Sequence, residues 1–317
     1  MTERNRIMMD QKIYEGLCRI AGKDAVFRNE PMSRHTTFRT GGPAQLLVTP
    51  DMETLPEVVA FCRQGQLPFL VIGNGSNLLC GDGGVDGVVI EIGKRMAEIS
   101  VDGTRITAQA GALLSAIAFR AASESLTGFE FAAGIPGSIG GAVVMNAGAY
   151  GGELKDVLCE VQVLTQEGEI LTVPASGLEL SYRHSIIPEK GYIVLAAVLS
   201  LQPGSREQIL SAMHELKKKR VAKQPLEYPS AGSTFKRPEG YFAGKLIEDA
   251  GLKGFRVGGA QVSEKHCGFV INRDHATSAD ILSLMEQVQQ KVYSQFGVQL
   301  EPEVKLVGIH RKTAAGE

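Results

Sequence analysis

The chain has 317 residues and a mass of 34.0 kDa, more than the roughly 100–200 residues of a typical domain, so we expect two or three domains. The formal net charge of −2 argues against nucleic-acid binding, because contact with a phosphate backbone requires a basic excess. No stretch approaches the ~20 apolar residues of a membrane span. The five cysteines are scattered without metal-ligand spacing, which is typical of reduced thiols. We therefore expect a cytoplasmic protein with no metal, no membrane partner and no nucleic-acid partner.

Predicted helices and short strands are interleaved without a strict βαβ rhythm, which favours an α+β fold over a doubly wound sheet. Apolar periodicity predicts helices within residues 1–24 and at 53–64, 112–125, 207–223, 241–250 and 278–295. Alternation and turn residues predict strands at 68–72, 88–92, 98–109 around Asp102-Gly103, 157–165, 169–173 and 192–201. Pro203-Gly204 follows the last of these strands, so we place a domain boundary there.

A first glycine segment, Gly73-Asn-Gly-Ser-Asn77, follows the apolar strand predicted at 68–72. Its two glycines allow a tight turn that presents several backbone N–H groups to an anion, but a plain turn explains the same residues equally well. The segment is not a dinucleotide fingerprint, because Leu78 stands where the third glycine is needed, and the chain has no P-loop. A nucleotide bound here therefore requires a different fold.

A second segment, residues 134–152, contains seven glycines. Glycine costs roughly 0.5–1 kcal/mol relative to alanine inside regular structure, so a cluster of this density needs a reason. One reason is close approach of the backbone to a flat ligand, and the alternative is a mobile lid of small residues. The apolar side chains of Ile135, Pro136, Ile139 and Val143 belong in packed structure and argue against a lid. The segment therefore predicts a loop that contacts a ligand.

Six motifs follow one another along the chain in an order typical of one enzyme family. They are His35-Thr-Thr-Phe-Arg-Thr-Gly-Gly42, Gly73-Asn-Gly-Ser-Asn77, Gly134-Ile-Pro-Gly-Ser-Ile-Gly-Gly141 with Asn146-Ala-Gly-Ala-Tyr150, Tyr182-Arg-His-Ser185, Gly232-Ser-Thr-Phe-Lys236 and Leu300-Glu-Pro-Glu-Val304. Together they resemble the UDP-N-acetylenolpyruvoylglucosamine reductases, flavoenzymes of bacterial peptidoglycan precursor synthesis. The similarity runs from about Ser33 to Gly308 and indicates the shorter form of the family, which lacks an extra tyrosine-bearing substrate loop.

The resemblance implies a division of the chain into four segments. An N-terminal helical segment at 1–33 precedes an FAD-binding region of the vanillyl-alcohol-oxidase (PCMH) type at 34–202, built of two α+β subdomains that meet near residue 66. An α+β substrate-binding domain at 203–302 follows, and the C-terminal segment 303–317 returns to the active site.

The resemblance also implies the chemistry. The cofactor is non-covalent FAD, and NADPH is the co-substrate. The reaction converts UDP-N-acetyl-3-O-(1-carboxyvinyl)-glucosamine to UDP-N-acetylmuramate. We expect a monomer whose partner is this small-molecule nucleotide sugar.

The resemblance assigns catalysis to Arg183, Ser233 and Glu303. Hydride addition to the enolpyruvyl group leaves an enolate-like anion conjugated to a carboxylate, and the planar guanidinium of Arg183 can stabilise it. Ser233 matches the family's proton donor, since a carbanionic carbon is basic enough to take a proton from a well-positioned alcohol. Glu303 either donates a hydrogen bond as a neutral acid, which we favour, or orients Arg183 or a water molecule.

The remaining site residues are assigned by the same resemblance. The predicted cofactor contacts are Gly73, Asn74, Gly75, Ser76, Asn77, Leu78, Gly134, Pro136, Gly137, Ser138, Gly140, Gly141, Asn146 and Ala147. The predicted substrate contacts are Tyr182, Lys236, Arg237 and His266.

Two alternative functions remain open at this stage. One is an FAD-dependent sugar or alcohol oxidase of the same fold, and the other is a non-catalytic protein that binds a flavin or a nucleotide. Such oxidases often tether the flavin through histidine, which is absent from both glycine segments. Neither alternative explains Arg183, Ser233 and Glu303.

Overall fold

The computed structural model describes residues 3–310, with side chains from Asp10 onward. Residues 1–2 and 311–317, which belong to the predicted segments 1–33 and 303–317, lie outside the described residues. The chain forms two compact units. Unit 1 comprises Met1–Arg28, Leu46–Asn74 and Gly87–Lys219, and unit 2 comprises Asn29–Gln45, Gly75–Asp86 and Arg220–Glu317.

Helices and strands mix along the whole described range, which confirms the predicted α+β class. The α-helices are α1 (Glu3–Ala21), α2 (Leu55–Gln64), α3 (Leu114–Ser123), α4 (Ile139–Val144), α5 (Arg206–Lys223), α6 (Ala243–Asp249) and α7 (Ser278–Phe296). The strands are β1 (Val26–Pro31), β2 (Pro43–Val48), β3 (Phe69–Ile72), β4 (Leu78–Cys80), β5 (Val85–Glu91), β6 (Ile99–Asp102), β7 (Arg105–Gln109), β8 (Leu126–Thr127), β9 (Gly148–Ala149), β10 (Gly152–Glu153), β11 (Leu158–Leu164), β12 (Ile170–Pro174), β13 (Ile193–Ser200), β14 (Gln202–Pro203), β15 (Arg256–Val257), β16 (Ala260–Val262), β17 (Val270–Asn272) and β18 (Lys305–Val307). None of the helices within residues 3–310 is both long enough and apolar enough to cross a membrane.

Unit 1 is organised around an antiparallel five-stranded sheet with the order β12-β11-β13-β7-β6. The strand β13 reads as a nearly continuous apolar run because it is buried on both faces, with α4 packed against it. The hairpin predicted around Asp102-Gly103 is confirmed, since Asp102 pairs with Arg105 across the turn. Unit 1 also contains the parallel pair β3–β5, in which Phe69 pairs with Val88.

The helix α2 of unit 1 shows why the local sequence sets the start and the end of an element. Asp51 accepts a hydrogen bond from the Thr54 backbone N–H at 3.0 Å, just before the helix begins. This bond and the bond from the Thr54 hydroxyl lower the pKa of the Asp51 carboxyl below its usual value. The helix ends at Gln64, where the Gly65 N–H caps the carbonyl of Phe61.

Unit 2 has its own hydrophobic core, formed between α6, α7 and the antiparallel sheet β15-β16-β17. The helix α7 begins where the Asp82 carboxylate accepts the backbone N–H groups of Ser278 and Ala279 at 2.8 and 2.9 Å. It ends at Gly297, which takes the left-handed conformation (φ 67°). A parallel pair, β4–β18, joins two distant parts of the sequence.

The chain passes from unit 1 to unit 2 within α5, after Lys219. The segments predicted at 34–202 and 203–302 divide the chain by function, with a boundary at Pro203-Gly204. The two units divide it by the compactness of the fold. The functional segments stay a prediction.

Candidate active site

In unit 2, the segment that carries Ser233 lies beside the segment that carries Glu303. The backbone N–H of Glu303 donates to the Thr234 carbonyl at 2.9 Å, and the N–H of Lys236 donates to the Glu301 carbonyl at 2.8 Å. These bonds give an antiparallel pairing of the two segments. The predicted proton donor and the predicted carboxyl therefore stand on neighbouring stretches of backbone.

Glu303 is also attached to the first glycine segment. The Asn77 amide Nδ2 donates to the Glu303 carbonyl at 3.0 Å, and the Lys305 N–H donates to the Asn77 carbonyl at 2.9 Å. From Leu78 and Lys305 onward the two stretches continue as the parallel pair β4–β18. Glu303 is buried, with 8% of its surface exposed. Unit 2 thus brings together Asn77, Ser233 and Glu303, which belong to three of the six motifs.

Gly75 is required by the protein's own backbone. It has a φ of +59°, and a Cβ at this position would overlap the carbonyl oxygen of His35. The Gly75 carbonyl accepts from the Thr37 N–H at 3.2 Å. The motif that begins at His35 therefore packs against the first glycine segment, in which Ser76 is half-buried.

In unit 1, the beginning of the first glycine segment lies against the second. The Asn74 side chain donates to the Pro136 carbonyl at 2.6 Å. A Cβ at Gly73 would overlap the Ser138 hydroxyl. Gly73 and Asn74 therefore meet predicted cofactor residues of the second segment within this unit.

The second glycine segment is only partly a loop. Gly134, Pro136 and Gly137 lie in irregular structure, but α4 starts at Ile139 and takes in Gly140 and Gly141. The helix forms here because Ile139 and Gly140 donate their N–H groups to the carbonyls of Ala112 and Ala110, and these bonds satisfy donors at the helix start. Residues 134–138 are irregular as predicted, but the loop prediction is wrong for α4 and for the short strands β9 and β10. Contact of this segment with a ligand stays a prediction.

Asn146 and Ala147 follow α4 and are both buried. The Ala147 N–H donates to the Ala142 carbonyl, and its carbonyl accepts from Leu154, each at 2.9 Å. The Asn146 amide donates to the Glu153 carboxylate at 2.8 Å. The polar groups of these two residues are thus engaged within the protein.

Arg183 stands in a tight turn of unit 1. Ser181 and His184 exchange two backbone hydrogen bonds of 3.2 Å across it. Arg183 has a φ of +56°, a left-handed conformation that costs an L-residue about 1–2 kcal/mol. Its guanidinium carbon lies 5.2 Å from the centre of the Tyr182 ring, and Tyr182 is 53% exposed. An arginine and an exposed aromatic ring are therefore presented side by side.

Two of the predicted substrate contacts, both in unit 2, have partners within the protein. Lys236 Nζ lies 3.2 Å from the Glu301 carboxylate. The Arg237 guanidinium stacks 4.3 Å from the centre of the exposed Phe242 ring. Both cations are on the surface and are able to meet an anionic ligand.

His266 of unit 2 is more enclosed. Its Nδ1 accepts from the Gly268 N–H at 3.1 Å, so the neutral ring carries its proton on Nε2. The ring packs edge-on against Phe269, with centroids 5.1 Å apart. Burial lowers the pKa of His266 below its usual value, which keeps the ring neutral near neutral pH. His266 is therefore a hydrogen-bond donor rather than a cation.

The sequence does not predict two side-chain contacts of the site. The Asn77 amide donates to the Glu303 carbonyl, and the Asn146 amide donates to the Ser181 carbonyl in the turn that carries Arg183. The resemblance assigns both asparagines to the cofactor. Local sequence carries no signal for either contact, since each joins residues that are far apart along the chain. No group of three or more His, Cys, Asp or Glu side chains within the described range could hold a metal ion.

Comparison with known proteins places these motifs in one family. Residues 224–307 match the C-terminal domain of UDP-N-acetylenolpyruvoylglucosamine reductase, and residues 43–174 match an FAD binding domain. A UDP-N-acetylenolpyruvoylglucosamine reductase from Agathobacter rectalis is 57% identical over 312 residues, which cover 95% of this chain and 99% of that protein. The chain belongs to the UDP-N-acetylenolpyruvoylglucosamine reductase family. The resemblance that the six motifs indicate is confirmed.

Other members of the reductase family align over nearly the same length. The UDP-N-acetylenolpyruvoylglucosamine reductase of Clostridioides difficile is 50% identical over 302 residues, with 95% of this chain and 99% of that protein covered. The crystal structure of the reductase from Thermus caldophilus superposes with a TM-score of 0.76 at 37% identity, covering 87% of this chain and 97% of that one. The predicted succession of an FAD-binding region and a C-terminal α+β domain is confirmed.

Each unit, taken by itself, contains a buried hydroxyl that a ligand with polar atoms would satisfy. The Ser138 hydroxyl is buried, with 2% of the residue exposed, and has no hydrogen-bond partner among the described residues. In unit 2, the hydroxyl of Thr40 is buried and equally unpartnered within the described part of the chain. An unsatisfied buried hydroxyl costs about 1–3 kcal/mol, so a ligand with polar atoms at these positions is favoured. The oxygens of a dinucleotide meet that need.

Proposed function

We propose that this chain is an NADPH-dependent flavoenzyme that reduces UDP-N-acetyl-3-O-(1-carboxyvinyl)-glucosamine to UDP-N-acetylmuramate in peptidoglycan precursor synthesis. The observation that carries the proposal is membership of the reductase family along 95% of the chain. The FAD binding domain match over residues 43–174 supports the cofactor. The enzyme acts as a monomer in the cytoplasm, on a nucleotide sugar.

The chain would hold FAD with the two glycine segments, residues 73–78 and 134–141, and with the Ser138 hydroxyl. When bound there, FAD would supply hydride transfer from NADPH to the terminal carbon of the enolpyruvyl group. The residues of the chain bind the substrate, stabilise the charge that develops on it and supply the proton.

Arg183 binds the substrate carboxylate. Hydride addition places a second negative charge on the carbon next to that carboxylate, and this charge is delocalised as an enolate. A planar guanidinium donates two parallel hydrogen bonds to such a group, and one donor of this kind is worth about 10²–10³-fold in rate. The left-handed backbone at Arg183 supports this role, since strained backbone conformations cluster at functional sites.

Ser233 protonates the carbon that bears the charge. The C–H bond forms as the hydroxyl O–H bond breaks, and the serine oxygen recovers its proton from solvent. Ser233 is half-buried and directly precedes Thr234, which is fully buried and hydrogen-bonded through both its backbone and its hydroxyl. A hydroxyl on such a firmly held backbone can be kept in one position.

Glu303 donates a hydrogen bond to the anionic substrate as a neutral acid. Glu303 is buried, and a substrate anion bound beside it would favour the protonated form, because two negative charges in one site repel each other. Lys236, Arg237 and His266 contact the diphosphate or the carboxylate, and Tyr182 lies next to Arg183 at the substrate.

The test begins with the purified protein. We expect the flavin absorbance band, and we expect NADPH loss that depends on adding the enolpyruvyl UDP-sugar. Acid precipitation should release all of the flavin, whereas a sugar or alcohol oxidase with tethered flavin would keep it. A colourless protein that takes up no FAD would refute the proposal.

A further inference from the structure

The turn that carries Arg183 is attached to the end of α4 at two points. The Asn146 amide Nδ2 donates to the Ser181 carbonyl at 3.1 Å, and the Ser185 hydroxyl donates to the Val144 carbonyl at 2.6 Å. The side chains that donate these two bonds are buried, with only 1% of Asn146 and 2% of Ser185 exposed. The attachment points lie two residues before and two residues after Arg183, so the turn is held on both sides.

Asn146 is itself held firmly. Besides its bond to Ser181, Nδ2 donates to the Glu153 carboxylate at 2.8 Å, and Oδ1 accepts from the Lys155 N–H at 2.9 Å. Both amide hydrogens are therefore used, and the reversed amide would face two acceptors with its oxygen. Glu153 is anchored in turn, since it accepts from the Asp156 N–H and forms an ion pair with Lys155. The bond to Glu153 is stronger than the bond to Ser181, because its acceptor is a charged carboxylate.

The backbone at both residues is left-handed, with a φ of +43° at Asn146 and +56° at Arg183. Asparagine tolerates this conformation because its short polar side chain bonds locally, whereas an arginine carries the full steric cost of an L-residue in it. The strain at Arg183 must be offset by contacts that hold the turn. The bond from Asn146 to Ser181 is a buried contact of that kind.

We propose that Asn146 is a positioning residue for Arg183. Its amide fixes the Ser181 carbonyl and so sets the direction in which the turn presents the guanidinium to the substrate carboxylate. The proposal rests on the role of Arg183 in the proposed function. It gives Asn146 a task in the arginine turn, in place of the cofactor contact that the sequence resemblance implies.

The test compares Asn146→Ala, Arg183→Ala and the double variant as holoenzymes in rapid-mixing experiments. NADPH should bleach the flavin of Asn146→Ala at the normal rate, and the dissociation constant for FAD should be unchanged. Recovery of the absorbance on adding the enolpyruvyl UDP-sugar should slow by about 10–100-fold, the loss that a displacement of roughly 1 Å causes. The double variant should recover no more slowly than Arg183→Ala alone, because residues that act as one unit are not additive.

Asn272→Ala is the matched control. Asn272 is also a buried asparagine, whose amide donates to the Phe38 carbonyl at 3.0 Å and accepts from the Ala276 N–H at 2.8 Å. Any effect of this substitution on recovery should add to that of Arg183→Ala. Asn146→Gly accepts the left-handed backbone without strain and replaces Asn146→Ala if the alanine variant does not fold.

Three outcomes would overturn the inference, and they differ from one another. Weaker FAD binding by Asn146→Ala, with normal recovery in the loaded fraction, would return Asn146 to the cofactor. Additive losses in the double variant would show that Asn146 does not act through Arg183. Normal recovery by Arg183→Ala would refute the role of Arg183 in the proposed function, and the inference would fall with it.

Discussion

Hydrogen bonds made by backbone groups of Glu303 and of Thr234 set the position of the two polar site residues of unit 2. Glu303 donates its N–H to Thr234 and accepts at its carbonyl from Asn77, so both of its backbone groups are held. Thr234 donates its N–H to Gly268, and its hydroxyl accepts from Val270. The backbone on which Ser233 and Glu303 stand is thereby fixed in position. Two predictions belong to this scale.

Ser233→Ala removes the proposed proton donor and leaves the backbone pairing of Thr234 intact. We expect NADPH to bleach the flavin at the normal rate, and we expect recovery on adding the substrate to slow by about 10²-fold or more, the contribution of one general acid. Ser230→Ala, the same substitution three residues earlier, is the control and should recover normally. Loss of the bleaching step in Ser233→Ala would mean that the serine has a different role.

Glu303→Gln keeps a hydrogen-bond donor at the position of the proposed neutral acid, and Glu303→Ala does not. If the carboxyl acts by donating, turnover by Glu303→Gln should exceed that of Glu303→Ala by about 10-fold or more. Steady-state rates at saturating NADPH measure the difference. Equal losses in the two variants would instead support a role as a carboxylate that orients Arg183 or a water.

At the scale of elements, the glycines of the first segment are needed by the fold. Their number suggests an approach of backbone to ligand, but at Gly73 and Gly75 the space for a Cβ is taken by Ser138 and His35 of the protein itself. The packing of one motif on the next therefore requires these glycines whether or not a ligand is bound. A high density of glycines in a sequence indicates that the backbone packs closely against a neighbour. The glycines alone do not say whether that neighbour is a ligand or another part of the protein.

Gly75→Ala and Gly103→Ala separate conformational strain from collision. The two glycines have nearly the same backbone, with φ of +59° and +56°, but an added Cβ overlaps the His35 carbonyl at Gly75 and meets nothing within 4 Å at Gly103. We expect Gly103→Ala to lower the free energy of unfolding by about 1–2 kcal/mol. Gly75→Ala should lower it by about 1–3 kcal/mol more, the cost of overpacking. Urea unfolding measures the loss of unfolding free energy in both variants. Similar losses would contradict a collision between the added Cβ and the His35 carbonyl.

At the scale of the whole molecule, each unit has a separate hydrophobic core. All five cysteines are free thiols, and they are distributed over both units. Cys62 is fully buried in unit 1 and Cys80 in unit 2, whereas Cys18 and Cys159 are half-buried. Burial raises the pKa of Cys62 and of Cys80 to about 11. The Cys62 thiol therefore reports on the integrity of the core of unit 1, and the Cys80 thiol reports on its own buried surroundings in unit 2.

Thiol alkylation should distinguish these cysteines in the native protein. Reactivity requires the thiolate, and a pKa of about 11 leaves a negligible thiolate fraction at about pH 8 for Cys62 and Cys80. Mass spectrometry should find Cys18 and Cys159 modified first, with Cys62 and Cys80 modified after denaturation. Raising the pH should speed the reaction at Cys62 and Cys80 only to the extent that local opening exposes these buried thiols. Labelling of Cys80 as fast as Cys159 in the native state would contradict the burial.

The sequence by itself determined the elements whose signal is local. The helices α2, α3, α5 and α7 and the strands of the five-stranded sheet lie close to their predicted positions, because apolar periodicity and turn residues act over neighbouring residues. The family is also readable from the sequence, since six short motifs occur in a fixed order. The helix α4 is not predicted from the sequence because glycine is a poor helix former, and bonds donated to the carbonyls of Ala110 and Ala112 supply what propensity lacks.

The tertiary structure alone decided how these pieces meet. The strands β4 and β18 are three residues each, and they form by pairing with each other, just beyond the contact between Asn77 and Glu303, which are 226 residues apart in sequence. The bond from Asn146 to Ser181 likewise joins distant residues. No periodicity in a short window encodes such contacts, because their energy comes from a partner that the chain reaches only on folding. The sequence specifies which residue types the chain contains, whereas the fold decides which of those residues become neighbours.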